Sequence, residues 1–558
     1  MKSPRIVDEE ETGMNLPKKA FTTAAATLFA ALCLCAGPAA AQGSQPVNAR
    51  IALPPLGWSS WNSFSNTIDS GIAIEQARAM AASGLQKAGY QYINIDEGWW
   101  LGERDADGNI VVDPKAWPAI EPGEKAGDMS NIVRAIHKLG LKAGIYTDAG
   151  KEGCSMYPDL GPAYFHVGSE GHYEQDFLQF ARWGFDYVKV DWCGGDKGNL
   201  DPAVQYGEIA RAIARAEQIG GKRLYYSICN WGSRSPWSWG PGVGAAPQSI
   251  WRTSGDIVDP VVAGSVHAGK KVAFEKMLAN FDQGIHPEAQ HTGYYNDPDM
   301  MVLGMPGLTA AQNRLHLALW AVSSAPLLVG ADLTKLDAET LAALTNPDTI
   351  AIDQDPLGLQ AFKAKEISSG LEVWSKFLAQ PGARAVVLLN RTYFPAPMSV
   401  KWADLGLAGD SATVRDVFAG KDLGALPSEF KTTIPAQDGV LLLVRGTEGS
   451  FRHYTPAAPK TAEEQAIRDP ETRFAQVAAS SAPWAQVRIV YANPSPAPRL
   501  AELRVNGQTA TRILFPPTGS GLAAVWIEAQ LDRPGAGNVL NFATDAATGV
   551  AIESIDVH

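Results

Sequence analysis

The chain has 558 residues, 46% hydrophobic and 19% charged, so two or three ordinary soluble domains are expected rather than one core. A formal net charge of -12 argues against a nucleic-acid partner, which would want a basic face. It is compatible with neutral sugars without pointing to them.

Residues 1–41 read as a targeting segment. Lys18 and Lys19 precede an apolar run over 20–36, and Ala39, Ala40 and Ala41 form a small-residue cleavage site before Gln42. Acidic residues before Met14 do not suit such a signal, so translation is expected to begin at Met14. Neither Cys33 nor Cys35 follows a small residue, which argues against a lipid anchor. No other segment approaches the roughly 20 apolar residues of a membrane span. The mature protein is expected to be periplasmic or secreted, where disulfides persist. Cys154, Cys193 and Cys229 then remain, enough for one bridge, and sequence alone does not choose the pair.

From 50 to 355, short apolar runs (91–95, 142–146, 187–190, 224–228, 326–329) alternate with helical patterns (74–88, 129–139, 202–216). That rhythm over about 300 residues predicts a closed (β/α)8 barrel. A doubly wound open sheet is the alternative, and no G-x-G-x-x-G follows the first strand to support its nucleotide-binding form. From 356 to 446 the texture becomes short strands (371–377, 384–390, 398–402, 412–416, 439–444) broken by Gly, Pro and Asp, an antiparallel β-sandwich. Residues 447–474 are charged, contain proline and read largely as linker. Further strands (487–491, 500–505, 524–531, 538–542) predict a second sandwich over 475–558.

A barrel places its chemistry just after each strand. Those positions carry Asp96 and Glu97, Asp148, Asp191, Cys229 and Asn230, Asp256, then Asp297 and Asp299. One such carboxylate is more often a helix cap than a catalyst. Six polar strand ends, mostly acidic and interleaved with Trp, instead suit a sugar pocket, where carboxylates take hydroxyl hydrogen bonds and aromatic faces stack on C–H surfaces. A metal centre is the rival reading, but His137, His166 and His172 lie away from the strand ends. A Ser-His-Asp hydrolase would want a G-x-S-x-G elbow.

The motifs GWSSWN (57–62), YINIDEGWW (92–100), GIYTDAG (144–150), YVKVDWC (187–193), WRTSGD (251–256) and NDPDM (296–300), followed by IAIDQDPLG (350–358), occur in an order that resembles glycoside hydrolase family twenty-seven. That family holds α-galactosidases and α-N-acetylgalactosaminidases. The resemblance implies a retaining exo-glycosidase that removes terminal α-D-galactopyranosyl groups by double displacement. It assigns Asp191 as nucleophile and Asp256 as general acid/base, with Trp61, Asp96, Tyr146, Lys189, Arg252 and Asp299 as pocket residues. It also implies a Cys154–Cys193 bridge, with Cys229 a free thiol facing the sugar beside Trp231. Such chemistry needs no metal and no organic cofactor.

The chain departs from the family where the usual second aspartate is Glu97. Its extra methylene reaches toward the space of the galactose C6 hydroxymethyl, which β-L-arabinopyranose lacks. A β-L-arabinopyranosidase is therefore the alternative, unless backbone movement absorbs the change. The bulk of Cys229, Asn230 and Trp231 argues against N-acetylgalactosaminides. A non-catalytic sugar-binding protein is the remote alternative, weakened because both Asp191 and Asp256 are present. Expected partners are galactoside or arabinopyranoside glycans. The last domain, with LRVNG (503–507), FPPTG (515–519) and the ending 552–557, resembles family thirty-five carbohydrate-binding modules without their acidic opening motif, so a structural sandwich and a glycan binder stay open.

Overall fold

The computed structural model describes residues 53–154, 167–242, 249–258, 272–291, 293–457, 471–478, 484–533, 535–543 and 549–558. The expected leader, the start at Met14 and His166 lie outside these residues. Among the described residues, no helix is long and apolar enough to cross a membrane.

Strands β1 (Leu56–Ser59), β2 (Tyr92–Asn94), β3 (Lys142–Asp148), β4 (Tyr187–Asp191), β5 (Tyr225–Cys229), β6 (Ser249–Arg252) and β7 (Tyr294–Asp297) each pair in parallel with the next. Strand β8 (Leu327–Val329) pairs with β1, and a parallel bridge from Met301 to Val329 joins it to the chain just past β7. The eight strands form the curled parallel sheet of a (β/α)8 barrel. Gly57 permits it locally: a Cβ there would stand 2.5 Å from the Tyr92 carbonyl oxygen of β2.

Alternation along the strands explains what the barrel encloses. Tyr187, Tyr225, Ile250 and Tyr295 cluster near the strand starts, with Tyr187 and Tyr225 stacked at 5.8 Å. Two residues further on come Lys189, Ser227, Arg252 and Asp297, and two further still Asp191 and Cys229. The intervening Val188, Val190, Tyr226, Ile228 and Trp251 join the main hydrophobic core instead. An aromatic plug thus fills one end of the barrel while polar groups collect at the other.

The helices carry the expected punctuation. Pro202–Gly220 starts with Asp201 accepting from the Val204 N–H and Pro202 in the first turn, and ends on left-handed Gly221. The helix expected over 74–88 is two helices, Ser70–Ser83 and Leu85–Ala88, because Gly84 between them takes φ +97°. Among the described residues between β5 and β6, the outer layer holds one-turn elements, Pro236–Trp239 and Gly240–Gly242.

The second domain is a six-stranded antiparallel sheet (Phe362–Ser368, Leu371–Phe377, Ala383–Asn390, Asp438–Glu448, Leu407–Asp416, Lys421–Pro427) beside the pair Ala396–Lys401 and Glu429–Ile434. Its core includes Val373, Val386, Leu388, Trp402 and Leu442. The third domain is a sandwich of two four-stranded sheets. The 447–474 linker reading needs correction: Arg452–Tyr454 pairs with Ala551–Val557, and Glu471–Val477 pairs with Asn538–Ala543. Both are polar edge strands, the first largely exposed and the second with a register shift, so neither shows clean alternation.

The third domain is packed onto the other two. Leu514 belongs to the barrel's hydrophobic core, and strand Gln508–Phe515 rests on Gly240–Gly242, where the barrel's outer layer is thin. His291 hydrogen-bonds the Arg512 carbonyl at 2.9 Å. Trp484 and Trp526 pack on Leu357, Leu359, Phe362 and Phe377.

Candidate active site

At the carboxyl ends of the strands a pocket of about 440 Å³ is lined by Trp61, Asp96, Glu97, Tyr146, Cys154, Lys189, Asp191, Cys193, Trp231, Asp256 and Lys276. Trp61 lies two residues past β1, Asp96 two past β2, and Asp191 closes β4. Trp231 lies two past β5 and takes φ +55°, an uncommon backbone for a bulky side chain.

Asp96 is fixed from three sides. Its N–H donates to Ser60 Oγ at 2.9 Å, its Oδ1 accepts from the Glu97 N–H at 2.9 Å, and Lys189 Nζ donates to its Oδ2 at 2.9 Å. The same ammonium lies 3.6 Å from Asp191 Oδ2. Burial alone would depress Lys189, but Asp191 and Asp96 reverse this and hold it well above the usual lysine range. Burial pushes the Asp191 carboxyl above its ordinary value, opposed chiefly by Lys189 and also by a hydrogen bond from the Cys229 thiol. Asp191 Oδ1 is buried without a hydrogen-bond partner. A buried carboxylate oxygen without a partner is costly.

Arg252 organises the opposite wall. Its Nη2 lies 3.2 Å from Asp256 Oδ1, and its Nη1 lies 3.0 Å from Asp299 Oδ1. Asp299 accepts the Ile257 and Met300 N–H groups, each at 2.7 Å, on a backbone with φ +97°. Such strain in a non-glycine residue costs of order 1–3 kcal/mol and persists where surrounding bonds over-determine it. Burial drives the Asp299 carboxyl up to about 7 against the pull of Arg252. The Asp256 side chain is 28% exposed and that of Asp191 8%, so Asp256 faces the mouth and Asp191 the interior.

Ten of the sequence-derived positions, Trp61, Asp96, Glu97, Tyr146, Lys189, Asp191, Trp231, Asp256 and the Cys154–Cys193 pair, come together on the open pocket. Cys154 and Cys193 are bridged, with Cα atoms 5.2 Å apart, and Cys229 is free. Cys229, Arg252 and Asp299 lie one layer lower, in a chamber of about 20 Å³ that shares Asp96 and Lys189 with the pocket. The expectation that Cys229 faces the sugar therefore changes. Its thiol ends β5 pointing inward and is completely buried, 3.6 Å from Arg252 Nη1, while Trp231 two residues on reaches the pocket.

Three contributors were not assigned from sequence. Asp148 ends β3 completely buried, takes the Tyr146 hydroxyl at 3.1 Å and lies 3.2 Å from the Cys154 sulfur. Burial, with Glu97 and Asp191 nearby, pushes its carboxyl well above the usual range. Its place at a strand end was the available signal. Lys276, in the first turn of helix Phe274–Gln283, and Gly153, against Glu97, had none. A grouping of Asp148 with Cys154 and Cys193 has the compactness of a metal site, but both sulfurs are in the bridge.

Comparison with known proteins agrees with this construction. A family model described as alpha galactosidase A matches residues 53–355, one for the alpha galactosidase C-terminal beta sandwich domain matches 368–444, and one for an alpha-galactosidase CBM13 domain matches 471–557. The last replaces the family thirty-five resemblance, which rested on turn and strand patterns that many sandwiches share. An alpha-galactosidase of Cyamopsis tetragonoloba is 35% identical over 382 residues, 68% of this chain and 83% of the relative. Alpha-galactosidase A of Cellvibrio japonicus is 40% identical over 339 residues, 61% and 76% of the two chains. The crystal structure of alpha-galactosidase I from Mortierella vinacea superposes with a TM-score of 0.61 at 27% identity, covering 72% of this chain and 99% of that one. The β-L-arabinopyranosidase of Geobacillus stearothermophilus shares the fold (TM-score 0.59, 22% identity, 70% and 96% covered). The chain belongs to the alpha-galactosidase family, glycoside hydrolase family twenty-seven.

Proposed function

We propose that this enzyme is a retaining exo-α-galactosidase in which Asp191 is the nucleophile and Asp256 the general acid/base. The observation that carries the assignment is the division of labour between two carboxyls on one pocket. Asp191 is buried beside the Lys189 ammonium with one oxygen unmet, and Asp256 is partly exposed toward the mouth beside Arg252.

The reaction runs in two steps. Asp191 attacks the anomeric carbon as Asp256 delivers its proton to the leaving oxygen, giving a glycosyl ester on Asp191. Asp256, now a carboxylate, takes a proton from water at the mouth, and that water breaks the ester with net retention. Lys189 opposes the desolvation that would otherwise protonate Asp191, and with Asp96 it offers a donor and an acceptor to sugar hydroxyls. Arg252 restrains Asp256 while Asp299 and the Ile257 and Met300 N–H groups restrain Arg252 and its loop. Proton NMR of the first-formed sugar tests the mechanism: α-galactose must appear before mutarotation, and β-galactose first would exclude it.

A second reading is favoured by one specific observation. Glu97 lines the pocket where an aspartate is usual, with its Oε1 close against Gly153. Part of its extra length is thus taken up by a glycine-sized gap, and the rest remains on the pocket wall. A β-L-arabinopyranosidase accordingly stands beside the galactosidase, and p-nitrophenyl α-D-galactopyranoside against p-nitrophenyl β-L-arabinopyranoside decides between them. Export to an oxidising compartment is part of the proposal and is supported by the Cys154–Cys193 bridge.

A further inference from the structure

Strand Ala383–Asn390 of the second domain turns into a short loop that carries Tyr393 and Phe394. They are 70% and 76% exposed, and among the described residues no other neighbouring pair of large apolar side chains is left so bare. The loop is nevertheless firmly built. Buried Asn390 donates through Nδ2 to the carbonyls of Phe394 (2.8 Å), Ile434 (3.1 Å) and Pro435 (2.8 Å). Its Oδ1 accepts the Thr392 N–H at 2.9 Å and the Thr392 hydroxyl at 2.7 Å. Tyr393 Oη then donates to Glu275 Oε1 at 3.1 Å, an oxygen that also accepts Gln437 Nε2 at 3.1 Å.

Glu275 stands in the first turn of helix Phe274–Gln283, which follows β6. In a βα barrel such a helix begins at the face where the strands end, so this turn sits on the catalytic rim. The next residue, Lys276, lines the pocket. Tyr393 is therefore tied through its hydroxyl to the helix turn that also forms the pocket wall, and the backbone that carries the bare Phe394 ring is held by Asn390 and Thr392. Sugar rings present C–H faces that stack on aromatics while their hydroxyl edges stay in water. A pre-ordered aromatic surface binds them with little further loss of side-chain freedom.

We infer that Tyr393 and Phe394 form a platform for the sugar units beyond the scissile bond, so that the enzyme favours galactosyl groups carried on longer glycans over short galactosides. The inference rests on the galactosidase reading of the pocket. The test compares the wild type with the Tyr393→Ala/Phe394→Ala double variant and with Phe394→Tyr. The substrates are p-nitrophenyl α-D-galactopyranoside, which ends at the pocket, and a galactosyl-substituted manno-oligosaccharide, which does not.

The double variant should raise KM for the oligosaccharide by about tenfold, with kcat and the aryl KM within about twofold of wild type. Phe394→Tyr, which keeps an aromatic face, should retain the wild-type KM on both. An unchanged oligosaccharide KM beside intact aryl hydrolysis overturns the platform alone, as does an equal rise on both substrates. A concentration-dependent dimer in light scattering that the double variant abolishes would also overturn it, by giving the patch to a second copy of the chain. Failure of the wild type on both substrates removes the pocket reading and the platform with it.

Discussion

Gly153 and Glu97 are predicted to be coupled, and the coupling is measurable. A Cβ at position 153 would stand 2.6 Å from Glu97 Oε1, whereas ordinary contact begins at 3.4 Å, so Gly153→Ala demands a shift of about 0.8 Å. Glu97 Oε1 is the far end of a long side chain that already lines the pocket, so its displacement should be felt there. A carboxylate displaced within the pocket by about one methylene's reach should cost about 1–3 kcal/mol of transition-state binding, a loss of roughly fivefold to a hundredfold in kcat/KM. Glu97→Asp withdraws the carboxyl by one carbon–carbon bond, about 1.5 Å, which exceeds the required shift. In that background Gly153→Ala should therefore cost less than about 0.5 kcal/mol, within the scatter of additive effects. Glu97→Asp alone should move preference toward α-D-galactosides over β-L-arabinopyranosides by about 1–3 kcal/mol, the worth of a methylene in a pocket. The assay is kcat/KM for both aryl glycosides across the four proteins. Additive losses in the double variant would refute the contact, and equal changes on both sugars from Glu97→Asp would refute the steric account of C6.

Asp256→Asn should lose least activity on substrates whose leaving groups need no protonation, and azide should restore part of it; equal losses for all leaving groups, with no rescue, would remove Asp256 from its role. Leu514→Ala should lower the melting temperature at a cost of about 2–5 kcal/mol, because Leu514 lies in the barrel's core although it belongs to the third domain; an unchanged melting curve would mean the docking is incidental. Burial pushes His316, packed on Trp320, down to about 3 and His291 down to about 4. A depressed histidine stabilises the fold above its unfolded value of 6.5 and loses that contribution as pH falls through the folded value, so melting temperatures should drop steadily between pH 6.5 and about 3. His316→Leu should flatten that decline, and an unaltered slope would contradict the cause.

The strand ends were the most legible part of this molecule. Period-two alternation in a parallel barrel sends every second residue inward, so acids beyond apolar runs, such as Asp96 and Asp191, could be located without coordinates. The same rule does not give depth. Cys229 and Trp231 share a strand end and direction, yet one is sealed in the lower chamber and the other lines the pocket, because the backbone turn at Trp231 lies outside the strand pattern. Lys276 comes from a helix start with no motif, and Gly153 matters only through its distance to Glu97. The edge strand Arg452–Tyr454 was unreadable for a different reason: a short, exposed, polar strand carries no periodic signal until its partner strand Ala551–Val557 is known.

In the proposed mechanism Asp191 carries the sugar covalently during turnover. Brief incubation with a 2-deoxy-2-fluoro-galactosyl donor bearing a good leaving group slows the second step and allows the ester to accumulate. Mass spectrometry of the digested protein should then show one fluorogalactosyl group on the peptide containing Asp191, absent in Asp191→Asn. A label on any other carboxylate, or no label while the donor is still consumed, would contradict the assignment.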